Sequence, residues 1–540
     1  MMNRPQPAVA GSECDEPHVR SFRQSLLSML GLSCIVMMVA IDQTVVGTAL
    51  PTIVAELKGF DLYAWVATSY LLTSVITVPI FGRLGDWYGR KPLVVAAIVV
   101  FTVASVLCGA VRCGAAGSMT ALVIFRALQG VGGGMLVGTA FASIPDLFPD
   151  PVVRLRWQVL FSSAFGVANA IGPSLGGILS QHYGWRSVFF VNLPVGVASL
   201  YLAAVHLPHI RHMHLDKIRL DWRGALYVAV ALCALQLLVE ALSGGEFDLR
   251  AIAYAVAVVT GLLLLIREER RAVNPIVPPT LLGERGLAVL LLLSAMMGIG
   301  LFSLLFYVPL LLQGGNGISA TRAGLAVTPL VVCITVGTIS NTRLVTRLKR
   351  PNSLLYLGFA LLMLSCAGAA LTRATSDDPA FVLAMVAGGV GIGFIMPNLT
   401  VFAQQVAGKR QLGIATAMIQ SARMIGGMLG TALVGATVRV SYHASLAASP
   451  GAAAWRAQLD NPQILMSADA TAHFVSLVSR SGADAHALID LARIALTHAL
   501  HVAFFAVAAG MLLGCIGVAL LPFIRLAPPT AAREVMSMPE

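Results

Sequence analysis

"GRLGDWYGRK", residues 82–91, gathers Arg83, Asp86, Arg90 and Lys91 with Gly82, Gly85 and Gly89 between two long apolar runs. A helix needs about 20 apolar residues to cross a hydrocarbon layer about 30 Å thick. The runs near 65–84 and 93–112 meet that length, so the segment between them reads as a tight, charged turn joining two membrane spans. Its glycines let helix ends approach closely. Asp86 can pair with its basic neighbours or face a helix N-terminus, where a negative charge is stabilised by about 0.3–1 kcal/mol. Contacts of that size can bias an open–closed equilibrium. An ordinary basic loop would need neither the acid nor three glycines.

The rest of the chain extends this reading. Of 540 residues, 57% are hydrophobic and only 11% charged, and the mean hydropathy is +0.82. Soluble domains carry about 25% charged residues, so the composition specifies a polytopic helical bundle in a bilayer. The net charge of +11 comes from residues scattered over short loops. That distribution fits the positive-inside rule and forms no nucleic-acid patch. The eight cysteines have no metal-type spacing and mostly fall in apolar runs, where Cys acts as a small hydrophobe. Arg20 and Arg23 precede a first run of about 23 residues, too long for the 7–15 of a signal peptide, so it reads as an uncleaved span.

Spans are expected near 26–48, 65–84, 93–112, 119–141, 158–180, 188–206, 221–242, 250–266, 286–312, 322–342, 354–372, 379–400, 413–438 and 498–523. With the N-terminus inside, even-numbered loops hold the basic clusters, among them Arg83/Arg90/Lys91, Arg154/Arg156, Arg343/Arg347/Lys349/Arg350 and Lys409/Arg410. Odd-numbered short loops carry about one basic residue each, such as Lys58 or Arg322. An even count of fourteen, with both termini cytoplasmic, satisfies this alternation.

The expected organisation is a cytoplasmic tail (1–25), a six-helix bundle (26–206), and two inserted helices with flanking cytoplasmic loops (207–285). A second six-helix bundle (286–523) and a cytoplasmic tail (524–540) follow. "TRLVTRLKRP", after span 10, weakly echoes the loop at 82–91, as a parallel repeat of two bundles would. The long outer connection 439–497 contains "AAAWRAQLDNPQIL" and "ADAHALIDLARIAL", which look like short amphipathic helices. They serve either as a packed cap or as a partner-docking surface.

Charge inside the spans is rare and therefore informative. Asp42 lies in "MVAIDQTVVGTALP", 38–51, where an ionised acid costs roughly 2.5–3.5 kcal/mol on insertion scales. Arg126 lies in "FRALQGVGGG", 125–134, and needs acceptors or a counter-ion. The glycine run there is not a dinucleotide loop, because Met135 takes the place of the third glycine and no strand precedes it. "GVANAIGPSLGGI", 166–178, carries Gly166, Gly172, Pro173, Gly176 and Gly177, which permit close helix crossing in lipid. Of twenty-five acids, only Asp42 and Glu240 fall inside the expected spans, Asp86 and Asp221 sitting at cytoplasmic ends. Glu240 sits near an outer end and can simply reach the interface. Arg423 in span 13 can anchor an anionic substrate, pair across the bundle interface or cap a carbonyl. His498 and His501 read as interfacial.

These motifs together resemble the major facilitator superfamily. Its loop after helix 2, G-x-L-x-D-x-x-G-R-K/R, is matched in full by residues 82–91, and its R-x-x-Q-G motif by Arg126, Gln129 and Gly130. The antiporter motif G-x-x-x-x-x-G-P-x-x-G-G is matched by Gly166, Gly172, Pro173, Gly176 and Gly177. The stretch around Asp42 resembles D-x-T-V-V-N-x-A-L-P of the fourteen-helix drug:proton antiporters, the EmrB/QacA-like branch, with Gly47 where Asn is usual. "WRSVFFVNLPVG" (185–196), 307–330 and 413–436 look like the same branch.

The resemblance implies an all-α membrane protein with fourteen transmembrane helices arranged six plus two plus six. The two six-helix bundles would be pseudo-symmetric. It implies a multi-pass protein of the bacterial inner membrane that exports small lipophilic, including cationic, compounds in exchange for protons. Asp42 and Arg126 would carry the coupling, Arg126 taking part in proton transfer. No catalytic residue, metal or cofactor is implied. Some members work with a periplasmic adaptor and an outer-membrane channel. The alternatives are export of a specific metabolite, lipid or siderophore, and a membrane-embedded enzyme. The enzyme would need a buried cluster such as paired His or His/Glu at helical spacing, and the sequence shows none, His498 and His501 reading as interfacial.

Overall fold

The computed structural model describes residues 22–521 apart from 113–117, 149–150, 209–221, 244–248, 272–282, 346, 349, 351, 372–377, 408–411, 461, 467 and 481–483. Residues 1–21 of the expected N-terminal tail, the C-terminal tail, the basic residues Lys349, Lys409 and Arg410, and the side chains of Arg83, Asp86, Arg154 and Arg156 lie outside the described set, whereas 22–25 belong to the first helix. All regular structure among the described residues is helical. Lipid offers no water to unpaired backbone groups, so a spanning segment must satisfy its hydrogen bonds internally.

The first six long helices are α1 (Phe22–Leu57), α2 (Tyr63–Tyr88), α3 (Arg90–Gly109), α4 (Ser118–Leu147), α5 (Pro151–His182) and α6 (Arg186–His206). The pair α7 (Trp222–Ser243) and α8 (Leu249–Glu269) follows. The second set comprises α9 (Arg285–Leu310), α10 (Ala320–Val345), α11 (Ser353–Leu371), α12 (Pro379–Ala407), α13 (Leu412–Ala447) and α15 (Ala485–Ala519), with the short α14 (Ala468–Arg480) before the last. We call the face at which α1 begins the near side and the face at which it ends the far side.

Packing repeats between the sets. In the first, α1 lies on α5 and α6, α2 on α4, and α3 on α4 and α6; in the second, α9 lies on α13 and α15, α10 on α12, and α11 on α12 and α15. Contacts between the sets obey the same correspondence: α5 crosses α10, α2 crosses α13, and α1 meets α9. That pattern is a pseudo-twofold relation. The inserted α7 packs on α8 and touches α2 and α13, while α8 turns most of its surface outward.

Thirteen helices among the described residues are long and apolar enough to cross a membrane. The run expected at 158–180 falls on α5, which has 32 residues but is not among those thirteen. Several helices outrun their apolar cores. The first span, expected at 26–48, continues through Pro51 to Leu57, and α13 continues to Ala447. "ADAHALIDLARIAL" is not a separate surface helix but the opening turns of α15, capped by Asp484, whose carboxylate accepts from the His486 and Ala487 amides. An N-cap followed by unbroken helical periodicity explains the difference. Further acids, among them Glu56 and Glu269, lie on long helices beyond the expected span ends. The far-side segment after α13 is packed: Leu459, Phe474 and Val478 are buried, Trp455 meets Phe474 edge-on, and Tyr442 donates to the Leu459 carbonyl at 2.7 Å.

Candidate functional site

Asp42 is buried at the middle of α1, with α4 and α6 both packed against that helix. Arg126 and Gln129, one turn apart on α4, reach its two oxygens from one side. Arg126 Nη1 donates to Asp42 Oδ2 at 2.7 Å, and Gln129 Nε2 donates to Oδ1 at 2.7 Å. Arg126 Nη1 also donates to Gln129 Oε1 at 2.8 Å, which closes a three-membered ring of side chains. Asn192 of α6 adds the carboxylate's third donor, to Oδ1 at 3.1 Å, and its amide also donates to Ser105 Oγ at 3.0 Å. Ser105 in turn donates to the Phe189 carbonyl at 2.9 Å. The guanidinium is held further by the Val66 carbonyl and by the face of Tyr70, 4.5 Å from the ring centroid. Asp42 and Gln129 are 0% exposed, and Arg126 and Asn192 are 1% exposed.

The sequence singles out Asp42 and Arg126 as one neighbourhood and Gln129 as part of the motif that carries Arg126. Sequence reasoning missed Asn192, Ser105 and Tyr70. The one available signal was an amide in the apolar run "VFFVNLPVG", because a polar side chain in a span must find a partner. Gly130 acts by being small: a Cβ there would collide with the Tyr70 carbonyl, so α4 and α2 touch at this point.

The glycines of 166–178 serve two surfaces. Gly172 and Gly176 face Thr44 and Thr48 of α1, close to Asp42, and Gly177 faces the Ala320 carbonyl of α10. On the opposite wall, a Cβ on Gly324 would meet the carbonyl of Pro173. Gly166 faces Thr335 of α10. The stretch therefore fits one helix at once against its own bundle and against the other. Gly47 sits at the α1–α9 contact, where a Cβ would stand 3.0 Å from the Leu305 carbonyl. An Asn here would press on that backbone.

The two bundles join along their far half. Tyr63 donates to the Phe306 carbonyl at 2.7 Å, and Ser174 and Thr328 hydroxyls lie 2.6 Å apart. Gln313 donates to the Thr48 carbonyl at 2.9 Å and accepts from Thr52 at 3.3 Å. A π-helical turn over Leu311–Gly315 carries Gln313 to this position, a device often found at functional sites.

In the loop at 82–91, Gly89 has φ +87°, a left-handed value favouring glycine, and separates α2 from α3. Arg90 folds back, is buried, and donates to the Gly82 carbonyl at 3.1 Å. Gly85 leaves space for its guanidinium. Lys91 is half-buried.

The remaining charges stand apart. Glu240 on α7 accepts from Trp65 Nε1 at 2.7 Å and lines a far-side cleft of about 50 Å³ with Asp61 and Arg439. Arg423 Nη1 contacts Met396 Sδ at 3.2 Å, and its buried Nε has no hydrogen-bond partner. Among the described residues no carboxylate pairs with it. Of the three roles open to Arg423 from sequence, pairing across the interface is not the one this geometry displays. No group of three or more potential metal ligands occurs among the described residues.

Comparison with known proteins agrees with this geometry. The family model for the Major Facilitator Superfamily matches residues 32–431. The chain is 34% identical over 422 residues to the multidrug transporter protein MdtP of Bacillus subtilis, covering 76% of this chain and 75% of that protein. It is 30% identical over 410 residues to the tetracenomycin C resistance and export protein of Streptomyces glaucescens, covering 76% and 75%. Among solved structures, a bacterial homologue of the lysosomal transporter Spinster, inward-facing and unoccupied, superposes with a TM-score of 0.67 at 16% identity. That alignment covers 94% of this chain and 100% of the other.

Proposed function

The chain belongs to the Major Facilitator Superfamily, and from that premise we propose that it is a proton-coupled antiporter exporting lipophilic drugs or toxic compounds across the bacterial inner membrane. Fourteen spans in the six-plus-two-plus-six arrangement, with both termini cytoplasmic, complete the reading. The near side is then the cytoplasm. The far-half belt of hydrogen bonds corresponds to a state closed to the outside.

The observation that carries the coupling is the buried ring Asp42–Arg126–Gln129, with Asn192 as its third donor. Desolvation disfavours an unpaired charge, so a proton arriving on Asp42 removes the reason for Arg126 to stay. Loss of that pair loosens α1 against α4 and transmits the change to the α1–α9 and α5–α10 contacts, where the bundles separate. Proton release to the cytoplasm restores the ring. One charge crossing 100 mV supplies about 2.3 kcal/mol, and one pH unit adds about 1.4 kcal/mol. Either is enough to concentrate a compound outward about tenfold or more. The activities for which the relatives are named, multidrug transport and tetracenomycin C resistance and export, support drug efflux as the direction. A tripartite assembly would have to engage the packed far-side segment around 450–480.

The test uses everted vesicles. Addition of a lipophilic drug should dissipate a preformed pH gradient in wild type and not in Asp42→Asn. Equal dissipation in the variant removes Asp42 from the mechanism. The relative named for a single antibiotic keeps export of one specific metabolite as the second reading; competition among unrelated dyes for export distinguishes the two, because a dedicated exporter shows none.

A further inference from the structure

A second polar cavity lies on the far side and shares no residue with the Asp42 cluster. It is bounded by the end of the π-turn (Gly315, Asn316) and by Arg493, Ile494, Thr497, His498 and His501 of α15, and is a broadly open depression of about 370 Å³. Gly317, in the left-handed region at φ +67°, turns the chain beside it, and the Arg493 guanidinium packs against the space where a Cβ would stand.

Two independent features define what would fit. The buried Nε of Arg493 and Nε2 of His501 have no hydrogen-bond partner, and no carboxylate lines the cavity. Unmet buried polar groups are unfavourable, and a guanidinium matches phosphate oxygens in geometry and charge. The second feature is apolar. Ile494, Val502, Phe505, Leu512 and Ile516 are exposed. At 100° per residue they share one face of α15 with His498, while Thr497 stands about 60° and Arg493 about 100° round the helix from Ile494, outside the stripe. The cavity thus opens at the head of a lipid-facing stripe.

We propose that this cavity binds the phosphate headgroup of an anionic phospholipid in the far leaflet, with an acyl chain lying along the α15 stripe. Arg493 supplies the charge, Asn316, Thr497 and the two histidines supply hydrogen bonds, and the stripe supplies the contact that a free anion would lack. The lipid then bridges the π-turn and α15, next to the Gln313 contact between bundles. The assignment rests on the membrane-spanning fold and not on proton coupling.

The experiment measures lipid retention by native mass spectrometry on the full chain in detergent, with phosphatidylglycerol or phosphatidylcholine of matched acyl chains. Wild type should retain phosphatidylglycerol preferentially. Arg493→Gln should weaken that binding about fivefold, the size expected for one basic residue at a lipid surface, and Arg493→Lys should retain most of it. His498→Ala, at an exposed position, should weaken binding in the same direction and carries the test if Arg493→Gln does not fold. Inorganic phosphate at the same concentration should not displace the lipid. Equal retention of both lipids, unchanged binding in both variants, or displacement by inorganic phosphate each overturns the assignment.

Discussion

Asn192 reaches Oδ1 of Asp42 at 3.1 Å from a helix 150 positions further along the chain, and the same amide donates to Ser105 at 3.0 Å. This neutral residue therefore ties α6, α3 and α1 together at the buried acid that pairs with Arg126. Replacement by Ala leaves Asp42 and Ser105 each short of a donor in a buried site. A loss of about 1–3 kcal/mol is expected for leaving such groups unmet. Asn192→Ala should lower the thermal unfolding midpoint in detergent and weaken drug-driven proton release; an unchanged midpoint would show that the contact contributes nothing.

The Asp42–Arg126 pair should behave as a unit. Removing one partner of a buried ion pair leaves an uncompensated charge, at a cost of about 3–5 kcal/mol. Arg126→Gln or Asp42→Asn alone should therefore destabilise the protein more than the two together. Thermal unfolding of the two single variants and the double variant measures this. The double variant should regain stability while remaining unable to release protons on drug addition. Additive losses in the double variant would show that the two groups do not act on one another.

The physical basis of this site explains how much of it was legible in the sequence. Asp42 and Arg126 stood out because charge is scarce in apolar runs; Gln129 came only with the motif, its i, i+3 step from Arg126 putting both on one helix face. Asn192 carries no charge, and no spacing rule brings residue 192 to residue 42. The helical fold followed from repeated apolar runs with basic loops between them. Helix ends did not, since α1, α13 and α15 continue past their apolar cores into polar turns that hydropathy cannot distinguish from loop. The π-turn that carries Gln313 was invisible for a related reason: "LLQGG" is compatible with an ordinary helix end, and the shift arises from packing between bundles.

That contact supplies a test of alternation. Gln313 joins Thr48 and Thr52 across the far half of the α1–α9 interface. Thr52→Cys with Gln313→Cys should cross-link under oxidant and arrest transport, with recovery on reduction. Efflux of a dye from cells before and after reductant measures it. Full transport in the cross-linked protein would mean that the far half does not open.

The α5–α10 crossing has little tolerance for volume. Gly177 lies against the Ala320 backbone and Gly324 against the Pro173 carbonyl, so a branched side chain at either place must move a helix. Gly177→Val should nearly abolish transport while leaving the protein membrane-inserted. Ser174→Ala, which removes only the 2.6 Å hydroxyl contact with Thr328, should change transport by less than about threefold, in keeping with roughly 1 kcal/mol or less for one hydrogen bond. Transport by Gly177→Val at the wild-type level would remove close packing as the reason for glycine here.

Arg423 presents the opposite case to Arg126. Its Nη1 meets only a methionine sulfur, its Nε is unpaired, and the described residues offer it no carboxylate. A structural cation would be expected to have acceptors around it, because leaving a buried charge unmet is unfavourable. A cation kept for cargo would have the acceptor arrive with the substrate. Arg423→Gln should then leave the unfolding midpoint unchanged or raised, while export of acidic or acceptor-rich compounds falls about tenfold and export of cationic dyes is retained. The tenfold figure corresponds to roughly 1.4 kcal/mol of lost binding, within the range for a hydrogen bond to a charged group. A lowered midpoint with uniform loss of all substrates would instead make Arg423 a residue that holds α13 in place.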